Sequence, residues 1–272
     1  MMKTLLLYVV ILASLFTAQS VRAVEDSEDY QTHEARAYYR LGQQHLQEGR
    51  LADALSEVEK ALDLEPKNGE LYLLLGRIQA AMGQHREEIE AYEKAVKYDK
   101  KRAEFQHALG QAYFNIGEYK DSIKPFKKAI KYDEGMASAY MSLGQAYFAL
   151  REFDDAEEEM KKALEIDAAN AGWHALLGST YFTGGRYDEA EKEYARALEI
   201  EPKMAEAQML IGRVYFEKKE YERAVDAYKK AVELDPDDPL VHYHFSQVYK
   251  QLGRYEEANR EKALSRRPAV TE

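Results

Sequence analysis

The sequence predicts an all-α protein made of seven tandem helix hairpins. Three observations carry that prediction. A Leu-Gly pair returns every 34 residues, at Leu41-Gly42, Leu75-Gly76, Leu109-Gly110, Leu143-Gly144 and Leu177-Gly178, then as Ile211-Gly212, with Phe245-Ser246 in the next slot. Apolar residues inside each interval keep helical spacing. Ala, Glu, Leu, Lys and Tyr dominate and only six residues are proline, a composition that suits helices and disfavours a β-sandwich. A coiled coil would repeat at about 7 or 11 residues instead.

The N-terminus comes first and stands apart. Lys3 supplies a short positive region, the run from Leu5 to Phe16 carries no charge, and Val21-Arg22-Ala23 has the form of a cleavage site. This is the pattern of a secretory signal peptide over residues 1–23, cut after Ala23. The apolar run falls short of the roughly 20 residues that span a bilayer. An uncleaved anchor is the alternative, and only then is a membrane a partner. On either reading the chain is exported, to the periplasm or beyond. Residues 24–34 read as an acidic linker.

No cysteine is present, which excludes a disulfide framework, a cysteine nucleophile and a lipidated N-terminal cysteine. The net charge is −11, and loss of Lys3 and Arg22 with the leader takes it to −13. Nucleic acid is an unsuitable partner for so acidic a chain, because phosphate contacts call for excess positive charge.

Seven units then fill residues 35–272: 35–68, 69–102, 103–136, 137–170, 171–204, 205–238 and 239–272. In the fourth, Tyr140, Leu143, Gly144 and Tyr147 form one helical stripe, and Phe153, Ala156, Met160, Ala163 and Ile166 a second. Glycine marks the turn between the two helices in five units: Gly49, Gly83, Gly117, Gly185 and Gly253. Small residues such as Gly144, Ala156 and Ala163 let the helix backbones approach, while Tyr147 and Met160 fill the space between one hairpin and the next. A single hairpin cannot bury its own stripe, so the units are expected to nest into one continuous spine. Pro66, Pro202 and Pro236 follow second helices, where a helix stops. Pro125, inside a second helix, is expected to act as a surface kink, with a hinge as the alternative.

Leu177, Gly178, Tyr181, Ala190, Tyr194, Ala197 and Pro202 reproduce in order the W-x2-L-G-x2-Y…A-x3-F…A…P spacing, so residues 35–272 resemble the tetratricopeptide repeat family. Departures are local: Glu88 and Ser122 replace the alanine of the second helix, and Lys262 and Ser265 make the last helix polar, as a terminal cap should be. The resemblance implies a right-handed α-solenoid whose first helices line a concave groove and whose second helices form the outer wall.

On that frame the groove would offer Phe114, Phe148, Phe182 and Phe216 at the twelfth position of each unit. The fifth would supply Tyr39, His107, Met141, Met209 and Tyr243, and the ninth Gln43, Arg77, Gln111, Gln145, Ser179, Arg213 and Gln247. Apolar rungs beside amides suit an extended peptide or a partner helix. The lysine–asparagine clamp by which some relatives hold a chaperone's C-terminal carboxylate is missing, since no fifth position is lysine and no ninth position asparagine. Lys120, Lys124, Lys127, Lys128 and Lys131 form a basic run on a second helix, expected to be a solvated face with acidic neighbours.

No HExxH, GxSxG, Walker or GxGxxG motif occurs. His174 and His242 stand where the family places an aromatic residue and read as packed structural side chains. No catalytic residue, metal site or cofactor is expected. The reading is a monomeric, non-enzymatic scaffold that binds a protein or peptide partner outside the cytoplasm, in assembly of an envelope or secretion complex. The alternative is an accessory subunit of an envelope glycosyl- or peptidoglycan-modifying enzyme.

Overall fold

The structure, a computed structural model, describes residues 32–266. The signal-peptide segment, linker residues 24–31 and residues 267–272 lie outside the described residues. The chain divides into two compact units after Glu118, inside the third repeat, so the nesting expected along the whole chain is described within each unit. The first unit holds α1 (32–47), α2 (Leu51–Leu64), α3 (Gly69–Ala81), α4 (His85–Tyr98) and α5 (Ala103–Asn115). The second holds α6 (Tyr119–Tyr132), α7 (Ala137–Ala149), α8 (Phe153–Ile166), α9 (Ala171–Thr183), α10 (Tyr187–Ile200), α11 (Ala205–Glu217), α12 (Tyr221–Leu234), α13 (Pro239–Gln251) and α14 (Tyr255–Leu264). No strand occurs among the described residues. The chain is already helical at residue 32, three residues before the predicted boundary, and the Tyr38 hydroxyl donates to Glu34 one turn earlier (3.1 Å).

Inside each unit a second helix packs on the first helix of its own repeat and on that of the next: α4 on α3 and α5 in the first unit, and α8 on α7 and α9, α10 on α9 and α11, and α12 on α11 and α13 in the second. The contact within a repeat depends on the recurrent glycine. A Cβ on Gly76 would lie 2.3 Å from the Tyr92 ring, and one on Gly178 2.7 Å from the Tyr194 ring. On Gly144 it would stand 2.7 Å from Met160 Cγ. The facing side chains are core residues: Met160 is 1% exposed and Tyr194 is fully buried.

The turn between paired helices needs a left-handed residue. All five turn glycines have φ between +72° and +83°. The same register is taken by Arg151 (φ 65°) and Lys219 (φ 62°) in the two remaining turns, where a Cβ makes this conformation unfavourable.

A second 34-residue register ties four of the first helices to the loop before them. The Tyr72 hydroxyl donates to the Pro66 carbonyl (3.2 Å) and the Gln106 amide to the Lys100 carbonyl (3.1 Å). His174 and His242 take the same place, with Nε2 at 3.3 Å from the Ala168 oxygen and 2.8 Å from the Pro236 oxygen. Their Nδ1 atoms face Glu193 (2.7 Å) and Glu261 (2.6 Å) on the second helix of the same repeat. Both histidines are thus buried and bracketed, as packed structural side chains.

Polar departures from the repeat pattern find partners of their own. Buried Ser122 and Ser246 each donate to the carbonyl three residues earlier (2.7 Å), and buried Glu88 lies 3.1 Å from His85 Nδ1. Pro125 corrects an expectation: it lies on the buried face of α6 beside Phe126 and Ala129, not at the surface. At the other end, α14 buries only Ala258, with Lys262 exposed.

Two substitutions test this reading. Gly178→Ala should lower stability by about 1–3 kcal/mol by overpacking, although alanine is the better helix former; a urea midpoint at or above that of the parent would contradict it. Lys219→Gly should raise stability by about 0.5–1 kcal/mol by relieving the left-handed turn, read by the same measurement.

Candidate functional site

The predicted groove residues lie on first helices in both units, but the two faces differ in chemistry. In the first unit the polar side chains satisfy one another. Gln43 donates to the Tyr39 hydroxyl (2.9 Å), Arg77 pairs with Glu104 (2.5 Å) and Gln111 donates to Asn115 (2.8 Å). Tyr39 also borders a cavity of about 320 Å³ with Arg36, Glu70 and Leu71. His107 and Phe114 are half-buried.

In the second unit the face is almost free of charge. Helices α7 and α9, 13 residues each, contain no Asp, Glu, Lys or Arg, in a chain whose charged fraction is 32%. Helix α11 adds Glu206, Arg213 and Glu217. First helices also meet directly here, α9 with α11 and α11 with α13. Between α7, α9, α10 and α11 opens a cavity of about 520 Å³, lined by Phe148, Ser179, Phe182, Tyr194, Arg213 and Glu217 among others. Four of these were named from sequence: Phe148, Ser179, Phe182 and Arg213.

Each ring of the phenylalanine ladder in this unit is half-buried and leans on the aromatic residue that opens the following helix. Phe148 lies 5.8 Å from Phe153, Phe182 5.5 Å from Tyr187 and Phe216 5.7 Å from Tyr221, all tilted or edge-on. Such pairs add about 0.5–1.5 kcal/mol beyond burial, so the rings brace the hairpins, while Phe148 and Phe182 also line the cavity.

The Arg213 guanidinium stacks over the Phe182 ring at 4.8 Å. Among the described residues it is the one arginine that is not exposed and has no carboxylate partner; Glu217, one turn away on the same wall, is not in ion-pair contact. Its charge reaches its neighbours. Burial lowers the affinity of His244 for a proton, and the Arg213 charge lowers it further. Burial raises the pKa of the Tyr194 phenol, against the Ser179 hydrogen bond and the Arg213 charge. Ser179 donates to the Ala175 carbonyl (2.9 Å) and lies 3.1 Å from the Tyr194 hydroxyl.

The fifth position departs from expectation. Met141 and Met209 are 3% and 5% exposed and belong to the core cluster, because that register turns into the packed interface between hairpins. They support the groove without offering surface to a ligand. Tyr243, in the last repeat, is 50% exposed. Gln145 and Gln247 stay half-buried on the groove side, Gln247 donating to the Ser246 hydroxyl (3.2 Å).

Tyr187, Tyr194 and Leu210 line the cavity without having been named from sequence as groove residues. A signal for Tyr187 exists, since Tyr119, Phe153, Tyr187, Tyr221 and Tyr255 recur every 34 residues. Tyr194 reaches the groove only because Gly178 leaves room for its ring. Among the described residues no cluster of His, Cys, Asp and Glu is placed to hold a metal ion, and no helix is long and apolar enough to cross a membrane.

Two family models, both described as tetratricopeptide repeat, match the chain: one over residues 107–171 and 176–239, the other over 45–87 and 215–266. No curated protein matches the sequence. Among solved structures, MamA is 31% identical with a TM-score of 0.57, covering 60% of this chain and 95% of its own. A tetratricopeptide repeat protein from Parabacteroides merdae is 18% identical with a TM-score of 0.70, covering 86% of this chain and 92% of its own. YrrB, described as a protein with an unusual peptide-binding site, is 21% identical with a TM-score of 0.54, covering 65% and 91%. The last two share the fold alone. With the hairpins, their register and the family matches in agreement, the chain belongs to the tetratricopeptide repeat family, whose fold supports a protein-interaction scaffold.

Proposed function

We propose that the first-helix face of repeats four to six binds an extended peptide or a partner helix, and that the chain works as a non-enzymatic scaffold outside the cytoplasm, in assembly of an envelope or secretion complex. The observation that carries the binding reading is the cavity of about 520 Å³ on a face where α7 and α9 carry no charge, bordered on the α11 side by Arg213 and Glu217. An uncharged, partly apolar surface favours apolar side chains, and the Phe148 and Phe182 edges supply contact area. Arg213 adds directed donors for a carbonyl or carboxylate of the bound segment. YrrB, which shares the fold, is described as having a peptide-binding site. The export reading rests on Lys3, the uncharged run from Leu5 to Phe16 and the cleavage-site form of Val21-Arg22-Ala23.

Capture of a partner from an envelope fraction, identified by mass spectrometry, tests the proposal with two variants. Arg213→Gln removes the guanidinium and should weaken capture roughly tenfold or more, since a hydrogen bond to a charged group is worth about 1.5–3 kcal/mol. Phe148→Ala with Phe182→Ala should abolish capture, at a stability loss well short of the roughly 3–5 kcal/mol per ring of a fully buried phenylalanine. Undiminished capture by both variants would place the binding surface elsewhere. A collapse of the helical melting curve in step with capture would make the rings core residues.

A further inference from the structure

Helix α6 is unlike every other second helix. Its 14 residues carry five lysines against one aspartate, whereas α8 beside it carries six carboxylates against two lysines. At about 100° per residue, Lys120, Lys124, Lys127, Lys128 and Lys131 fall within one arc of roughly 100°. The buried residues Ser122, Pro125, Phe126 and Ala129 occupy the opposite side. Four of the five lysines are exposed and Lys128 is half-buried.

Among the described residues these ammonium groups have no carboxylate closing on them. Lys161 and Lys162 on α8 pair with Glu157 and Glu158 on their own helix at 2.7 Å, and Lys218 holds Asp188 and Glu191 at 2.8 Å. Among the described residues none of the α6 lysines forms an ion pair. Lys127 lies over the Tyr147 ring at 5.5 Å, with the charges of Glu159 and Asp155 on α8 farther off. The acidic neighbours expected from sequence are therefore present but do not close onto the stripe.

We propose that this lysine stripe is a docking surface for an acidic polypeptide segment, distinct from the first-helix cavity. Width decides the class of partner. At physiological salt a charge is felt over about 8 Å, and a helix with its side chains is about 10–12 Å across. A single acidic strand or helix can lie along the lysine arc of α6, with Asp121 at its edge as the one carboxylate of that helix. An anionic membrane or a nucleic-acid duplex is broader, and would also meet the carboxylates of α8. The stripe advances about 16 Å along the helix axis at 1.5 Å per residue, which matches carboxylates spaced at three and four residues on a partner helix.

The test measures binding of a labelled oligo-glutamate peptide to the full chain by fluorescence anisotropy, at low and high salt. The variant Lys120→Gln, Lys124→Gln, Lys128→Gln, Lys131→Gln keeps good helix formers. A control with the same charge change, Lys67→Gln, Lys192→Gln, Lys203→Gln, Lys229→Gln, leaves α6 intact. The expected result is salt-sensitive binding that falls roughly tenfold or more in the first variant and stays near the parent value in the control. Phosphatidylglycerol vesicles and a DNA duplex should not bind. No binding of oligo-glutamate, equal loss in both variants, or tighter binding to vesicles or duplex would each overturn the proposal. Circular dichroism confirms that the variants fold; should the fourfold variant not fold, Lys120→Glu with Lys131→Glu is the replacement and must show the same loss.

Discussion

In repeats two, four, five and six the two helices pack as they do because a side chain is missing from the first. At Gly76, Gly178 and Gly212 the first helix presents bare backbone to a tyrosine ring from the second, and at Gly144 to Met160. The ring occupies the volume a Cβ would need, which sets both the spacing of the helices and their rotation. Tyr194 and Tyr228 are then almost wholly buried, and their hydroxyl ends come near the groove side, where Arg213 acts on both. The same close approach that builds the hairpin therefore places aromatic rings behind the cavity.

Connections repeat the same economy. A left-handed residue reverses the chain inside each hairpin, and a side-chain donor fixes the loop before the next first helix. Position matters more than residue type here. A phenol, an amide and two imidazoles all reach a carbonyl six residues back. On the outer side, Glu157 receives the Tyr181 hydroxyl and Glu191 the Tyr215 hydroxyl from the following repeat (3.1 and 2.9 Å). These bonds are partly exposed and individually modest, but they recur in register.

The period of 34 made the helices, turns and core glycines legible in the amino-acid order, because each depends on contacts within one hairpin or with the next. It also located Phe148, Ser179, Phe182 and Arg213 on one face. It did not show that Met141 and Met209 face inward, since the fifth position borders both groove and interface and only packing decides between them. Nor did it show that Arg213 lacks a partner: Glu217 stands four residues away, the usual distance for a helical ion pair, yet the guanidinium turns to Phe182 instead. Pro125 was legible as an interior proline, while its burial depended on which way α6 faces. The lysine run was visible, but whether carboxylates close on it is a matter of side-chain reach that no linear spacing encodes.

Helix α14, the last helix among the described residues, has ten residues, of which only Ala258 is buried. In a stack where each hairpin is held by its neighbours, stability is close to a sum of local terms. A helix with one covered side and few apolar contacts opens at low energy. Among the helices of this unit, α14 is accordingly expected to open before the tightly filled layers around Tyr194 and Tyr228.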